Sequence, residues 1–471
     1  MKILFVSLRN SAEFLPENDL EISAGSLNDI SSGATEVKLV LPAYKSYLIE
    51  AEIHEKHGSE TFLGREKKAI HYYTGFWRGV EVIFIKPLDG FKADSIRELG
   101  IEQFIIFCKA CAQIPAFFES PADIIHLFGW KTALTAPFIR KFFKDNSLYR
   151  KTKILFSCED ISEVDLFGPD KFRLTGLDWN EYTPDTMEFW GKFSPVKGGI
   201  VYSDRIFVSG SGRITDLLST TYGHGYDGVF RSRINDIIPI PPCIKQSDWD
   251  PSTDRFLPEN YSSGNSEGKK QCKAALLQEV SLKDGEKPLI ALFLEKSRHQ
   301  EDILQSSMEY LNALQINYII CTEGKSQDRA IENLTQNSSS VKSLYFDDEK
   351  SQKKIYSGTD CCVFLMPDDK RLLHLKAMRY GALPISRKGG AFVDNIIPHD
   401  EDPEKANGFF YQDFISTNIV KLFRHISNIS YRNGKEIHQL KKNAMNYDSS
   451  YKRNVTEYLR AVNNVISPKN G

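Results

Sequence analysis

The sequence predicts an α/β protein made of two doubly wound domains, each built on a parallel sheet. Three observations point there: the length of the chain, a repeated alternation of short apolar runs with helix-patterned segments, and a proline-rich break that divides this alternation into two series. A chain of 471 residues exceeds what one ordinary core organises, so two domains with substantial interiors are expected.

The first series comprises Lys2 to Ser7, Val37 to Leu41, Val80 to Ile85, Ile124 to Leu127, Lys153 to Ser157 and Ile206 to Ser209. Runs this short and this rich in Val, Ile and Phe read as strands, and their alternation with helical patterns implies parallel pairing. A second series follows the segment Pro239 to Pro242: Leu289 to Leu294, Tyr318 to Cys321, Ser343 to Phe346, Cys361 to Leu365 and Leu383 to Ser386. The stretch around Tyr261 to Lys270, rich in Ser, Gly and Asn, reads as an exposed loop.

The boundary is expected near residue 245, giving domains over 1–245 and 246–450 and a terminal helical segment over 451–471. In Tyr451 to Ile466 the spacing of Val455, Leu459, Val462 and Val465 suits one helical face. That helix either crosses back over the linker or is an ordinary terminal helix. Two Rossmann-like domains on a short linker would face a central cleft, with ligand at the carboxyl ends of their strands.

Composition narrows the partners. Sixty basic residues stand against 62 acidic ones with no long run of either sign, so neither nucleic acid nor an anionic membrane is an expected partner. The start, MKILFVS, lacks the long apolar region and cleavage site of a secretory signal and reads as a first strand. No stretch approaches the roughly eighteen uninterrupted apolar residues of a membrane span. A soluble, cytoplasmic protein is expected. The eight cysteines lie mostly in apolar stretches, which suits a reducing compartment. Cys108 and Cys111 would share a helix face; two small packing residues are favoured there over a redox pair. Cys361 and Cys362 would point to opposite faces of a strand. The ten histidines show no ligand spacing, and no metal or cofactor is expected. Asp347 and Asp348 read as solvated surface. HYYTGFW, His71 to Trp77, reads as a hairpin or core edge before a sugar-stacking platform. Tyr345 and Phe346 read as strand aromatics before base-stacking groups.

Between Gly176 and Asp254 the chain reads GLDWN, WGKFSPVKGGIVYSDRIFVSGSGRITDL, YGHGYDGVFRSR and SDWDPSTD. These four segments, in this order, resemble consecutive segments of the bacterial glycogen and starch synthases. LVLPAY at Leu39 to Tyr44, HLFGWKTAL at His126 to Leu134 and AMRYGALPISRKGG at Ala377 to Gly390 extend the resemblance over most of the chain. It implies the GT-B fold and a retaining hexosyltransferase that moves glucose from ADP-glucose to the non-reducing end of an α-1,4-glucan. In such proteins the segment holding Gly210, Gly212 and Arg213 begins a helix, which outweighs reading it as a phosphate loop.

That chemistry has physical needs. The leaving group is a nucleoside diphosphate, so cations and glycine-loop amides must neutralise charge as it departs. A carboxylate and polar groups must hold the sugar while positive charge develops. The family's amino-terminal S-E-x-x-P and K-x-G-G-L-x-D is replaced by SLRNSAEFLPENDLE: the glutamate falls on Arg9, the lysine on Leu15, the glycines on Glu17 and Asn18, and the aspartate on Glu21. Carboxylates beside a diphosphate repel it, and side chains block the backbone approach that glycine allows. The family's H-x-H-D-W becomes HLFGW, keeping His126 and Trp130 and placing Gly129 on the aspartate. FSCED puts Glu159 on a sugar-contacting histidine, and PPCIK puts Pro242 on an asparagine. R-L-x-x-Q-K-G becomes EKSRHQE, with Glu295 on the arginine and Gln300 on the lysine; Lys296 and Arg298 lie close by. The donor-site glutamate segment shortens to DDKRLLHL, which keeps Asp368, Asp369 and Arg371 near.

The resemblance therefore implies a synthase homologue impaired in transfer, a pseudoenzyme that binds α-glucan, a nucleotide sugar or a protein partner. The alternative is an active glucosyltransferase with a rearranged donor site. No catalytic residue is assigned. The candidate binding residues are Glu21, His126, Trp130, Lys296, Arg298, Arg371, Tyr380, Gly389 and Gly390.

Overall fold

The computed structural model describes residues 1–8, 30, 35–77, 79–88, 99–157, 161–162, 164–283, 286–294, 309, 311–323, 331, 335–336, 338–366, 369, 371–411, 424, 427–429 and 434–467. The chain divides into two compact units, Met1–Ile240 with Asn454–Gly471, and Pro241–Arg453.

In the first unit, β1 (Lys2–Ser7) runs parallel between β2 (Glu36–Pro42) and, on its other side, β6 (Ile124–Phe128). A long antiparallel hairpin, β3 (Glu52–Leu63) and β4 (Glu66–Trp77), joins through β5 (Val80–Pro87), which lies parallel to β2. Beyond β6 come β7 (Lys153–Ser157), β10 (Arg205–Ser209) and β11 (Ile237–Ile240). β8 (Glu188–Phe189) and β9 (Lys192–Phe193) form a separate small hairpin. Among the described residues the main sheet has nine strands in the order β11-β10-β7-β6-β1-β2-β5-β4-β3.

The apolar runs become strands because they are buried on both faces: Ile3, Phe5, Val40, Leu41, Ile124, Ile125, Ile154 and Leu155 have almost no exposure. The helix α1 (Ile101–Phe117) is apolar nearly all round and is buried accordingly. Cys108 and Cys111 lie on it as free, buried thiols, and Cys108 Sγ donates to the Lys131 carbonyl at 3.2 Å. Burial pushes the Cys108 thiol up to about 12, so both pack as small hydrophobes. HYYTGFW forms most of β4, with Tyr72 buried and donating to the Ala110 carbonyl of α1 at 2.9 Å; it is a hairpin and core edge. The helices α2 (Thr135–Phe142) and α3 (Pro195–Tyr202) follow β6 and β9. The latter starts on Ser194, whose Oγ accepts from Lys197 N, with proline at the first turn. The segment after Gly210 begins α4 (Ser211–Leu218), as the resemblance implies.

In the second unit, Leu289–Phe293 (β12), Asn317–Thr322 (β13), Val341–Tyr345 (β14), Cys361–Phe364 (β15), Leu383–Arg387 (β16) and Phe409–Tyr411 (β17) form a sheet of parallel pairs in the order β14-β13-β12-β15-β16-β17. Helices α5 (Glu267–Glu279), α6 (Glu349–Gly358), α7 (Leu373–Arg379) and α8 (Gly434–Asn446) accompany it. Asp348 caps α6 by accepting from Ser351 N at 2.8 Å, so it shapes a helix start as well as facing solvent.

The terminal helix α9 spans Tyr451–Ile466 and buries Val455, Tyr458, Val462 and Val465 in the core of the first unit. The expected exposed loop at Tyr261 to Lys270 holds over 262–266 and fails at its two ends. Tyr261 is buried and donates to the Tyr380 carbonyl at 2.9 Å, and α5 begins at Glu267. Buried Lys269 donates to the carbonyls of Tyr356, Ser357 and Tyr380. Tyr261 and Lys269 are drawn inside because backbone carbonyls accept from them. No described helix is long and apolar enough to cross a membrane.

Candidate functional site

In an open parallel sheet, ligands bind beyond the carboxyl ends of strands where the strand order reverses. That point lies between β1 and β6 in the first unit and between β12 and β15 in the second.

In the first unit, β6 ends at Phe128 and is followed by Gly129 with φ +80°. Left-handed backbone disfavours an aspartate at this position, so the loss of the family's acid coincides with a turn suited to glycine. Trp130 packs edge-on against Phe104 of α1 at 5.5 Å, and Lys131 Nζ sits 5.3 Å above its ring. Burial lowers the Lys131 ammonium, and Asp165 opposes that shift. Trp130 therefore stands half-buried at the carboxyl end.

His126 is placed elsewhere. It lies within β6 with no exposure, its Nδ1 3.0 Å from the Tyr458 hydroxyl and its Nε2 2.8 Å from Ser157 Oγ. Its ring stacks on Tyr458, 5.6 Å between centroids and 6° between planes. Desolvation pushes the imidazole down to about 3. It is a neutral core group with both nitrogens engaged by protein.

The second unit gathers more chemistry. Arg371, past the end of β15, donates from Nη1 to Glu323 Oε1, just past β13. Its guanidinium lies 4.8 Å from the ring of Phe346, which follows β14. Phe346 is buried and packs edge-on against Phe293 at 5.1 Å, so its free face is covered by Arg371. Asp369 is 1% exposed. Its Oδ2 accepts from the His374 backbone amide and pairs with His374 Nδ1, both at 2.7 Å. Its Oδ1 is buried without a hydrogen-bond partner. His374 Nε2 lies 3.4 Å from Asn395 Nδ2.

Gly389 and Gly390 follow β16. A Cβ on Gly389 would come within 2.0 Å of Arg387 Nη1, and Gly390 has φ +54°. Both glycines are buried, and the Arg387 guanidinium occupies the side-chain face of Gly389 at the carboxyl end of β16. Tyr380 is not at that edge. It lies at the far end of α7, fully buried, donating to Asp254 Oδ2 at 2.5 Å beside Trp249 and Tyr356. Burial and the Asp254 hydrogen bond raise its phenol strongly. Its contacts are structural: it ties the SDWDPSTD segment to α7. Lys376, on the same helix, has its ammonium 4.6 Å from the Trp249 ring, and burial pushes it down to about 7.

The structure thus assembles Arg371, Gly389 and Gly390 at one sheet edge and sets His126 and Tyr380 in the two cores. Glu21, Lys296 and Arg298 lie outside the described residues, as do Arg9, Leu15, Glu17, Asn18, Glu159, Glu295, Gln300 and Asp368. Sequence reasoning missed Glu323 and His374. Glu323 follows a strand without any motif, and the Asp369-to-His374 spacing marks no known constellation. Among the described residues, no three His, Cys, Asp or Glu side chains gather as a metal site would require.

The comparisons with known proteins agree with this architecture. A model of the starch synthase catalytic domain matches residues 28–232. The glycogen synthase of Finegoldia magna is 28% identical, covering 99% of this chain and 100% of its own length. That of Thermotoga maritima is 27% identical over 98% of each chain. Among solved structures, the catalytic domain of starch synthase IV from Arabidopsis thaliana, bound to ADP and acarbose, shares the fold with a TM-score of 0.77 at 20% identity, over 99% of each chain. A glycosyltransferase from Rickettsia africae shares it with a TM-score of 0.55 at 12% identity, over 99% of each chain. Over its full length the chain is similar to the glycogen and starch synthases, and its two doubly wound sheets give it their GT-B fold of two Rossmann-like domains.

Proposed function

We propose that this protein binds a nucleotide sugar and α-glucan in the cytoplasm but transfers glucose poorly or not at all, serving glycogen metabolism as a binding or regulatory partner. Glucosyl transfer is the family's ancestral reaction. The observation that carries the reading is the Arg371–Glu323 pair. A departing diphosphate requires positive charge that is free to meet it. Here the cation beyond the switch-point strand is already neutralised by a carboxylate, and an arriving phosphate must displace that carboxylate or share the space with it. The Arg387 guanidinium set against Gly389 at the carboxyl end of β16 supports retained recognition of a phosphate group. The replacement of the family's cationic and glycine positions by Leu15, Glu17, Asn18, Glu295 and Gln300 points the same way.

One observation favours the alternative of an active enzyme with a rearranged donor site. Asp369 holds a buried, unpartnered carboxylate oxygen beside the stretch where the family's donor-site glutamate would stand. That reading requires turnover that depends on Lys296 or Arg298.

Calorimetric titration with ADP-glucose, UDP-glucose and ADP tests the proposal. Saturable binding of one of them supports it. Absence of binding to all three, together with no association with glycogen, removes it.

A further inference from the structure

The connection between β7 and α3 leaves the first sheet at its carboxyl edge and carries the small hairpin β8-β9. Phe189 pairs with Lys192, so Trp190 and Gly191 form a two-residue loop. Both have positive φ, +53° and +76°. This is the pattern of a primed hairpin turn, which prefers Asn-Gly because the first position must also adopt left-handed backbone. Tryptophan is a poor occupant: bulky residues rarely take positive φ. It is also 82% exposed, and Trp179 on the same connection is 51% exposed. The fold gains little from Trp190, whereas Trp179 also packs on buried Phe172 at 5.2 Å. An aromatic that strains its own backbone to stand in solvent points to recognition.

The surroundings indicate what is recognised. Trp179 meets Tyr182 edge-on at 5.6 Å, and the Tyr182 hydroxyl donates to the Gly191 carbonyl at 3.1 Å, beside Trp190. Glu188 accepts from Gly191 N at 2.5 Å and braces the loop. Phe189 is stacked on buried Tyr226 at 4.1 Å, which anchors the hairpin. A Cβ on Gly225 would lie 3.7 Å from the Trp190 indole nitrogen, so the ring rests beside a glycine that keeps the approach open. The exposed polar neighbours are of mixed kind, with Asp178 and Asp185 as acceptors and Asn180 and Lys192 as donors. With Glu188 at the turn the acids outnumber Lys192, which disfavours an acidic partner. Aromatic faces among scattered donors and acceptors suit a neutral ligand with apolar C–H faces and many hydroxyls.

We propose that Trp190, Trp179 and Tyr182 form a docking surface for an α-1,4-glucan chain, apart from the carboxyl-edge residues of the second unit. The inference rests on the glucan-binding side of the proposed function. Its test uses the whole chain in native gels with and without glycogen. Trp190→Asn is the informative variant, because Asn-Gly satisfies the turn while removing the indole. Trp179→Ala probes the second ring, and Phe62→Ala, an exposed aromatic on β3, serves as control. The wild type should be retarded by glycogen, with Trp190→Asn weakened by about tenfold, roughly the contribution of one aromatic contact, and Phe62→Ala unchanged. Trp190→Asn should melt no lower than the wild type. If Trp190→Asn is retarded as strongly as wild type, or the wild type is not retarded at all, the docking surface is refuted. Titration with ADP-glucose judges the nucleotide-sugar reading separately, because that binding should be the same in wild type and Trp190→Asn.

Discussion

The Tyr458 hydroxyl lies 3.0 Å from His126 Nδ1, joining residues 332 positions apart in the chain. A histidine of the HLFGW segment, which the resemblance marks as a binding group, here fastens the terminal helix to the middle of the first sheet. Its other nitrogen is engaged by Ser157.

Tyr458→Phe should therefore destabilise the first unit by about 1–3 kcal/mol, the cost of leaving a buried polar atom unmatched. Chemical denaturation of wild type and variant measures this. Unchanged stability would mean that the hydroxyl and the ring do not interact in solution.

The same histidine makes stability depend on pH. In the fold it is held down to about 3 by burial, whereas in the unfolded chain it takes up a proton near pH 6.5. The unfolded state thus binds the proton first as pH falls. Stability contributed by neutral His126 is present above about pH 6.5 and is lost progressively towards pH 3. Between pH 7 and 5 the loss should be about 2 kcal/mol. Denaturation midpoints across that window should fall for the wild type and fall less for His126→Gln.

Freeing Arg371 should strengthen anion binding. Glu323→Gln removes the charge that holds the guanidinium, so affinity for ADP should rise several-fold, and more at low salt than at high salt. Arg371→Ala should weaken it. Calorimetry on the three proteins decides; equal affinities would show that the pair does not face the phosphate.

Gly390→Ala places a side chain at φ +54°. It should cost about 1 kcal/mol in stability and reduce ADP binding, measured by melting with and without nucleotide. A variant that binds ADP as well as wild type would remove the glycine pair from the phosphate site.

Most of the fold was legible because parallel strands buried on both faces are written as uninterrupted apolar runs. β12 and β15 are examples, and so is the one-sided helix Tyr451–Ile466. The strands that escaped notice lack that signature. β3, Glu52–Leu63, is exposed along most of its length and is held by pairing to β4 and by Lys109 Nζ donating to the Phe62 carbonyl. β11 contains Pro239, which an edge strand tolerates. β17 has three residues. At the carboxyl edge, the position of Gly389 and Gly390 after β16 was legible from AMRYGALPISRKGG, whereas that of Arg371 was not, because DDKRLLHL departs from the family's pattern. The burial of His126 and Tyr380 was not, because their partners, Tyr458 and Asp254, are distant in sequence and only the fold brings them close.

We propose that the charge arrangement around the donor no longer supports loss of a diphosphate. Incubating the purified chain with radiolabelled ADP-glucose and UDP-glucose in the presence of glycogen, and counting label in the washed polymer, tests it most directly. The expected result is incorporation indistinguishable from a no-protein control, with ADP-glucose still bound in a parallel titration. Sustained incorporation from either donor, abolished by Arg298→Ala or Lys296→Ala, would contradict the account.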